Sequence, residues 1–186
     1  MYLYNVYKKY FIAIVLPPRV FEEAEKIKHE LYLTHSLKGA LRSPAHITLH
    51  RPFEWKEEKE NLLLETLNSF KFDDKNIAIE LNNFAFFEPR VIYIDVLPNA
   101  ILVDLHKAVK TFAKTKLGLL NEGNDLRGFH PHVTVAFRDL KKRTFYELKE
   151  EFAQKQFGAS FNCSQISVLK LTSKWEVLKT FSLDSL

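Results

Sequence analysis

Cysteine is nearly absent from this chain. Cys163 stands alone, so no disulfide can form within the molecule, and a disulfide framework is excluded as the source of its stability. A reducing, cytoplasmic setting is the expectation. Cys163 has no metal-ligand pattern around it and reads as a small strand residue rather than a nucleophile. Glycine is scarce too, with five in 186 residues, and no stretch is of low complexity, which argues against a long disordered region. No apolar run approaches membrane length. The run Phe11-Ile12-Ala13-Ile14-Val15-Leu16 follows Lys8 and Lys9 but stops at Pro17-Pro18 without a small-residue cleavage site, so neither a span nor a signal peptide is expected. Charge of neither sign dominates: the net value is +4, compatible with an anionic ligand and equally with a solvated lysine-rich surface.

What is present is ordinary globular composition, 46% hydrophobic and 27% charged. The length suits one domain, taken here as 1–186 with halves near 1–88 and 89–186. Phe11 to Leu16 reads as a buried strand. Pro17 and Pro18 open a helix in which Val20, Ala24, Ile27 and Leu31 recur at helical spacing. Ala45 to Phe53 is a strand, Lys56 to Phe70 a helix, and Ile77 to Phe87 a strand. The order then repeats. Val91 to Val96 is a strand, and Leu102, Leu105, Val109 and Phe112 mark a helix. Phe129 to Arg138 is a strand. Thr144-Phe145-Tyr146-Glu147 fits a capping box that starts a helix, Phe161 to Leu171 is a strand, and Trp175 to Leu183 adds another. Strand–helix–strand–helix–strand thus occurs twice, as a repeat of element order and not of residues.

The second strand of each half carries a His-x-Thr pair: His46-Ile47-Thr48 and His132-Val133-Thr134. Residues i and i+2 share a strand face, so each strand offers an imidazole and a hydroxyl on one side and apolar packing on the other. Either pair alone is an ordinary strand feature; two copies at corresponding places are not. Two such strands facing one another would set two imidazoles across a groove. Imidazole titrates near pH 6.5, so one ring can take a proton while the other gives one. Opening a cyclic phosphate needs both acts, roughly in line through phosphorus. The threonine hydroxyls can donate to the non-bridging oxygens as charge builds there. The rival use of paired histidines is a metal site, which wants a third ligand; neither strand carries Asp or Glu on the histidine face, so no metal and no cofactor are expected.

Other residues are candidates for substrate contact. His50 shares a face with His46 and Thr48 by alternation, and either lines the groove or is merely an exposed strand end. Arg138 lies on the face of His132 and Thr134, as does His130. Arg42 and Arg127 each precede a histidine strand, in loops that could flank the groove mouth. Solvated charge is the plain alternative for the arginines, as it is for Lys141-Lys142-Arg143. Phe53, Phe129 and Trp175 could stack on a base, although with sixteen phenylalanines most aromatics must fill the core.

These residues resemble the signature of the two-histidine (2H) phosphoesterase superfamily, in its bacterial 2′-5′ RNA ligase-like branch. Pro44 to Phe53 and Phe129 to Arg138 match its two His-x-Thr motifs, with Pro131 before the second histidine as is typical. Phe11 to Leu16, Pro89-Arg90-Val91-Ile92-Tyr93 and Leu171-Thr172-Ser173 match more loosely, so the likeness spans nearly the whole chain. It implies a bilobal, duplicated α+β fold with pseudo-two-fold symmetry, two antiparallel sheets facing a central groove and helices outside. It also implies a metal-independent phosphodiesterase opening 2′,3′-cyclic phosphates of RNA or nucleotides to 2′-phosphates, sometimes with reversible 2′-5′ ligation. His46 would be the proton donor and His132 the acceptor. After His46-Ile47-Thr48-Leu49 the chain departs from the common pattern with His50-Arg51-Pro52-Phe53, resembling a phosphoesterase subgroup with poorly defined substrates. A non-catalytic nucleotide- or RNA-binding module with the same groove is the alternative, and a purely structural domain a third. No membrane and no obligate protein partner are expected.

Overall fold

The computed structural model describes residues 6–74, 76–120 and 128–183. Strand β1, Tyr7–Val15, is apolar on both sides because both of its faces are covered. Tyr10, Ile12 and Ile14 enter the main core, while Phe11 and Ala13 form a smaller cluster with Leu169 on the opposite face. Helix α1, Pro18–His35, has Pro18 in its first turn, where a missing N–H costs nothing, and ends at Ser36 in the left-handed region. A 3₁₀ turn, Ala40–Arg42, leads to β2, His46–Lys56. A second 3₁₀ turn, Glu57–Lys59, runs into α2, Glu60–Asn68. Strands β3, Ile77–Phe87, and β4, Val91–Val96, form a hairpin. Helix α3, Ala100–Leu117, starts where the Asn99 side chain accepts the Leu102 N–H and stops at Gly118, whose φ of 65° suits a residue without Cβ. Strand β5 is His132–Ala136.

Two expectations change at this point. Helix α4, Lys142–Gln154, begins two residues earlier than Thr144, and its N-cap, Lys141, makes no side-chain cap, so the capping box does not form. What anchors α4 is Phe145, Leu148 and Phe152, all buried at i, i+3 and i+7, each contributing about 2 kcal/mol. The stretch 161–171 is not one strand. It holds the end of β6, Gly158–Cys163, and all of β7, Gln165–Leu171, separated at Ser164; β8 is Trp175–Ser182.

The eight strands form one antiparallel sheet of order β6-β3-β4-β5-β2-β1-β7-β8, curled on itself. The bilobal α+β architecture is therefore present as two four-stranded halves, β2-β1-β7-β8 and β5-β4-β3-β6. They meet along β2 and β5 at the pair Ile47–Val133. The lobes are not the two halves of the sequence. β3, from the first half, pairs with β4 and β6. β7, from the second, pairs with β1 and β8. Each lobe takes its third strand from the other half. Buried residues of all four helices join the same core as Ile12, Ile47, Leu49, Ile92, Ile94, Val133 and Val135, so the helices cover one face of the sheet and leave the other open. Among the described residues no helix is long and apolar enough to cross a membrane.

Candidate active site

The site is built where the two lobes join. Ile47 and Val133 are paired and fully buried on the helix side. Alternation then turns His46, Thr48, His132 and Thr134 to the open face, where all four are half-buried. Antiparallel pairing about Ile47–Val133 sets His46 beside Thr134 and Thr48 beside His132, a four-residue patch with approximate two-fold symmetry.

The two rings are held alike. Nδ1–H of His46 donates to the Pro44 carbonyl at 2.6 Å, and Nδ1–H of His132 donates to the His130 carbonyl at 2.7 Å. A carbonyl can only accept, so Nδ1 carries the proton in both rings, and in the neutral form Nε2 presents its lone pair. Burial pushes His46 down to about 4; the Pro44 carbonyl opposes this, while Lys28 and His132 add to it. Burial also lowers His132. The His130 carbonyl and Asp95 act against that fall, and the His130 ring adds to it.

A pocket of about 240 Å³ opens on His46, Thr48 and Thr134, with Phe11, Pro52, Phe137, Arg138 and Trp175 among its walls. Phe11 lies between His46, 4.8 Å between ring centroids, and Trp175, 4.7 Å and edge-on. His132 sits beside this pocket against Phe87 and Tyr93, each at 5.1 Å. The neighbouring strands break the symmetry. β1 sets Val15 opposite His46, whereas β4 sets Asp95 opposite His132. Asp95 Oδ1 is buried without a hydrogen-bond partner and lies 3.4 Å from His130 Nε2, which also shares a 3.1 Å hydrogen bond with the Tyr93 hydroxyl.

A family model described as the 2′-5′ RNA ligase superfamily matches residues 16–175. The chain belongs to the 2′-5′ RNA ligase superfamily. Among its relatives is a protein of Oceanobacillus iheyensis whose name places it provisionally among the phosphoesterases, 27% identical over 179 residues, or 94% of this chain and 98% of that one. The fold is also that of Escherichia coli LigT, whose crystal structure in complex with 3′-AMP gives a TM-score of 0.63 at 17% identity, covering 96% of this chain and 99% of LigT. TT0787 of Thermus thermophilus gives 0.61 at 19%, covering 94% and 97%.

Within this superfamily member, the remaining candidates fall out unevenly. Arg138 does line the pocket, though not from a strand: β5 ends at Ala136, and Arg138 adopts a φ of 67° in the turn that follows. That turn is clamped. Asp139 Oδ2 accepts the N–H groups of Lys38 at 2.8 Å and Gly39 at 2.9 Å, tying the loop after β5 to the loop before β2.

His50 is a correction. Two register shifts between β1 and β2 flank the Ile12–His50 pair and interrupt the alternation, so both Leu49 and His50 turn into the core. His50 is buried edge-on to Phe53, its Nδ1–H donates to the Arg51 carbonyl at 2.9 Å, and Nε2 has no hydrogen-bond partner. Arg42 is exposed and is not among the pocket walls, although Ala40 and Ser43 on either side of it are. Arg127 lies outside the described residues. Of the three aromatics, Phe53 is core, Phe129 stacks on His106 at 3.9 Å, and Trp175 alone reaches the pocket.

Sequence reasoning missed Tyr93 and Asp95 beside His132, and Glu25 and Lys28 behind His46. Asp95 had a signal: it is the one charged residue in the apolar strand Val91–Val96. It also supplies the carboxylate that the two histidine strands lack. Even so, no three His, Cys, Asp or Glu side chains among the described residues come together as a metal ion would require.

Proposed function

We propose that this protein opens 2′,3′-cyclic phosphates on RNA ends or nucleotides to 2′-phosphates, using His46 and His132 as its proton-transfer pair and no metal. The observation that carries the reading is the patch around Ile47–Val133. Two imidazoles with Nδ1 held by a carbonyl expose Nε2 on one face, each beside a threonine hydroxyl. One Nε2 takes the proton of the attacking water as its oxygen bonds to phosphorus. The other protonates the 3′ oxygen as the P–O3′ bond breaks, leaving the 2′-phosphate. Thr48 and Thr134 donate to the non-bridging oxygens, and Arg138 brings a guanidinium to the same pocket. Trp175 and Phe11 offer apolar surface to the nucleoside.

The resemblance gives the donor role to His46. The charges beside the rings favour the reverse. Lys28 opposes a proton on His46, whereas beside His132 the His130 ring opposes one and Asp95 favours one, so Lys28 decides, and in hydrolysis we assign His46 as acceptor and His132 as donor. An anionic phosphate in the pocket raises both values and supplies the protonated partner. Membership of the superfamily, the nucleotide in the LigT structure and the naming of the Oceanobacillus relative support this reading.

The test is incubation with a nucleoside 2′,3′-cyclic phosphate in EDTA, with the product resolved by chromatography. Appearance of the 2′-phosphate is the expected result. Turnover only on adding back a divalent metal overturns the mechanism, and binding without turnover makes the protein a nucleotide- or RNA-binding module.

A further inference from the structure

Behind the two nearly equivalent motifs, the chain differs in how it holds the backbone that leads into each histidine. On the His46 side the agent is an ion pair on α1. Lys28 is almost completely buried, and its Nζ donates to Glu25 Oε1 at 2.7 Å and to the Ser43 carbonyl at 3.0 Å. The same Glu25 oxygen accepts the Ala45 N–H at 2.8 Å. Pro44, between them, has no N–H, and its carbonyl is the acceptor for His46 Nδ1–H. Ser43 and Ala45 are thereby each tied to the pair, and the Pro44 carbonyl between them accepts from the imidazole. On the other side the His130 ring lies 3.4 Å from Asp95 at the open face, in place of a lysine–glutamate pair buried behind the strand. His130 is held by Tyr93, and Phe129 by its stack on His106.

We infer that Glu25 and Lys28 are positioning residues for His46: their buried ion pair fixes the 43–45 backbone so that His46 is kept with its proton on Nδ1 and its lone pair on Nε2, ready to accept. The inference rests on the reading of His46 as a proton-transfer group. A buried ion pair is poor at raising stability, since well-packed apolar residues of similar volume often do as well or better. The pair is therefore better explained by what it orients. Its charge acts in the same direction as its geometry, because Lys28 is close enough to disfavour a proton on His46. The other charged groups facing His46 are Glu25 on the same helix, His132 on β5 and Arg138 in the turn after β5. Of these, His132 opposes protonation as Lys28 does.

The experiment is histidine-ring NMR on the ¹⁵N-labelled full chain, comparing wild type with Glu25→Leu/Lys28→Met across pH. In the wild type, His46 should show one tautomer, Nδ1-protonated, with a titration well below the ordinary histidine range. In the double variant His46 should lose the single Nδ1-protonated tautomer, while His132 keeps its own and serves as the internal control. Turnover of cyclic phosphate should fall about tenfold in kcat with little change in KM. A His46 ring that keeps its single Nδ1-protonated tautomer overturns the inference, whatever happens to its titration or to turnover. The leucine variant leaves the Ala45 N–H without its acceptor and could fail to fold. Glu25→Gln/Lys28→Met keeps an acceptor of the same length and answers the same question: loss of the single His46 tautomer supports the inference, and a retained single tautomer refutes it. The ring signals do not depend on activity, so a chain inert toward cyclic phosphates would refute the proposed function while still reporting on the clamp.

Discussion

Replacing Gly39 by alanine should damage this protein out of proportion to one methyl group. Gly39 has φ −58° and ψ −43°, a backbone any residue adopts, so no conformational strain is involved. The difficulty is space. A Cβ built there would stand 2.3 Å from the Phe137 carbonyl oxygen and 2.7 Å from Asp139 Oδ1, against an ordinary carbon–oxygen contact of about 3.3 Å. The nearer atom is backbone, so the 137–139 turn must retreat by about 1 Å. Overpacking of this kind costs about 1–3 kcal/mol. The retreat also strains the hydrogen bonds from Lys38 and Gly39 to the Asp139 carboxylate, each worth about 1.5–3 kcal/mol. Alanine returns about 0.4–1 kcal/mol by stiffening the unfolded chain. The net expectation is a loss of about 2–4 kcal/mol. With a urea slope of about 2 kcal/mol/M, the unfolding midpoint should drop by about 1–2 M. Arg138 rides on the same turn, so KM for the cyclic phosphate should rise as well. Gly158→Ala is the control, because nothing lies within 4 Å of a Cβ there. A Gly39→Ala protein as stable as wild type, or more so, would show that the two loops are not clamped as described.

Substituting either His46 or His132 by alanine should lower turnover about 10²- to 10⁴-fold, and Thr48→Val or Thr134→Val about tenfold, with unfolding midpoints little changed; two active histidine variants would sink the proposed mechanism. A substrate with a better leaving group should preferentially rescue the variant lacking the donor, which we place at His132. Arg138→Ala should raise KM about tenfold at unchanged melting temperature, and a change in kcat alone would remove Arg138 from substrate binding. Stability should fall as pH drops from about 6.5 toward 4. His46, His50 and His132 are held below the ordinary histidine value in the folded chain, so the unfolded chain takes up protons first. The His46 share is up to about 3 kcal/mol and should vanish in His46→Gln, as urea titrations at pH 7 and pH 5 would show.

Most elements were legible because apolar spacing is decided locally: β3 and β4 match the strands read over Ile77 to Phe87 and Val91 to Val96, and α3 follows Leu102, Leu105 and Val109. The groove patch was legible for the same reason, since His46/Thr48 and His132/Thr134 each need only strand alternation to share a face. What failed depended on partners distant in sequence. The double bulge that buries His50 exists only in the pairing of β2 with β1. The break at Ser164 has no glycine or proline to announce it; the chain turns there because β6 belongs to one lobe and β7 to the other. Thr144 satisfied a local pattern, but the helix starts at Lys142, with Phe145 packed from its first turn. Asp95, Glu25 and Lys28 act on the histidines from other elements, which no spacing within the motifs could convey.

The exchange of third strands has a consequence for how the molecule comes into being. β1 lies between β2 and β7, and β7 spans residues 165–171, close to the end of the described chain. Until those residues have been synthesised, β1 keeps an open edge, with Phe11 and Ala13 uncovered beside the strand that bears His46. The groove cannot assemble one wall at a time from the ribosome outward; its first wall waits for β7, which follows both histidine motifs along the chain. A nascent chain halted after β6 would carry both histidine motifs, an unpaired apolar strand edge and no finished first wall. Such a chain is a candidate for chaperone binding or aggregation rather than a half-active intermediate.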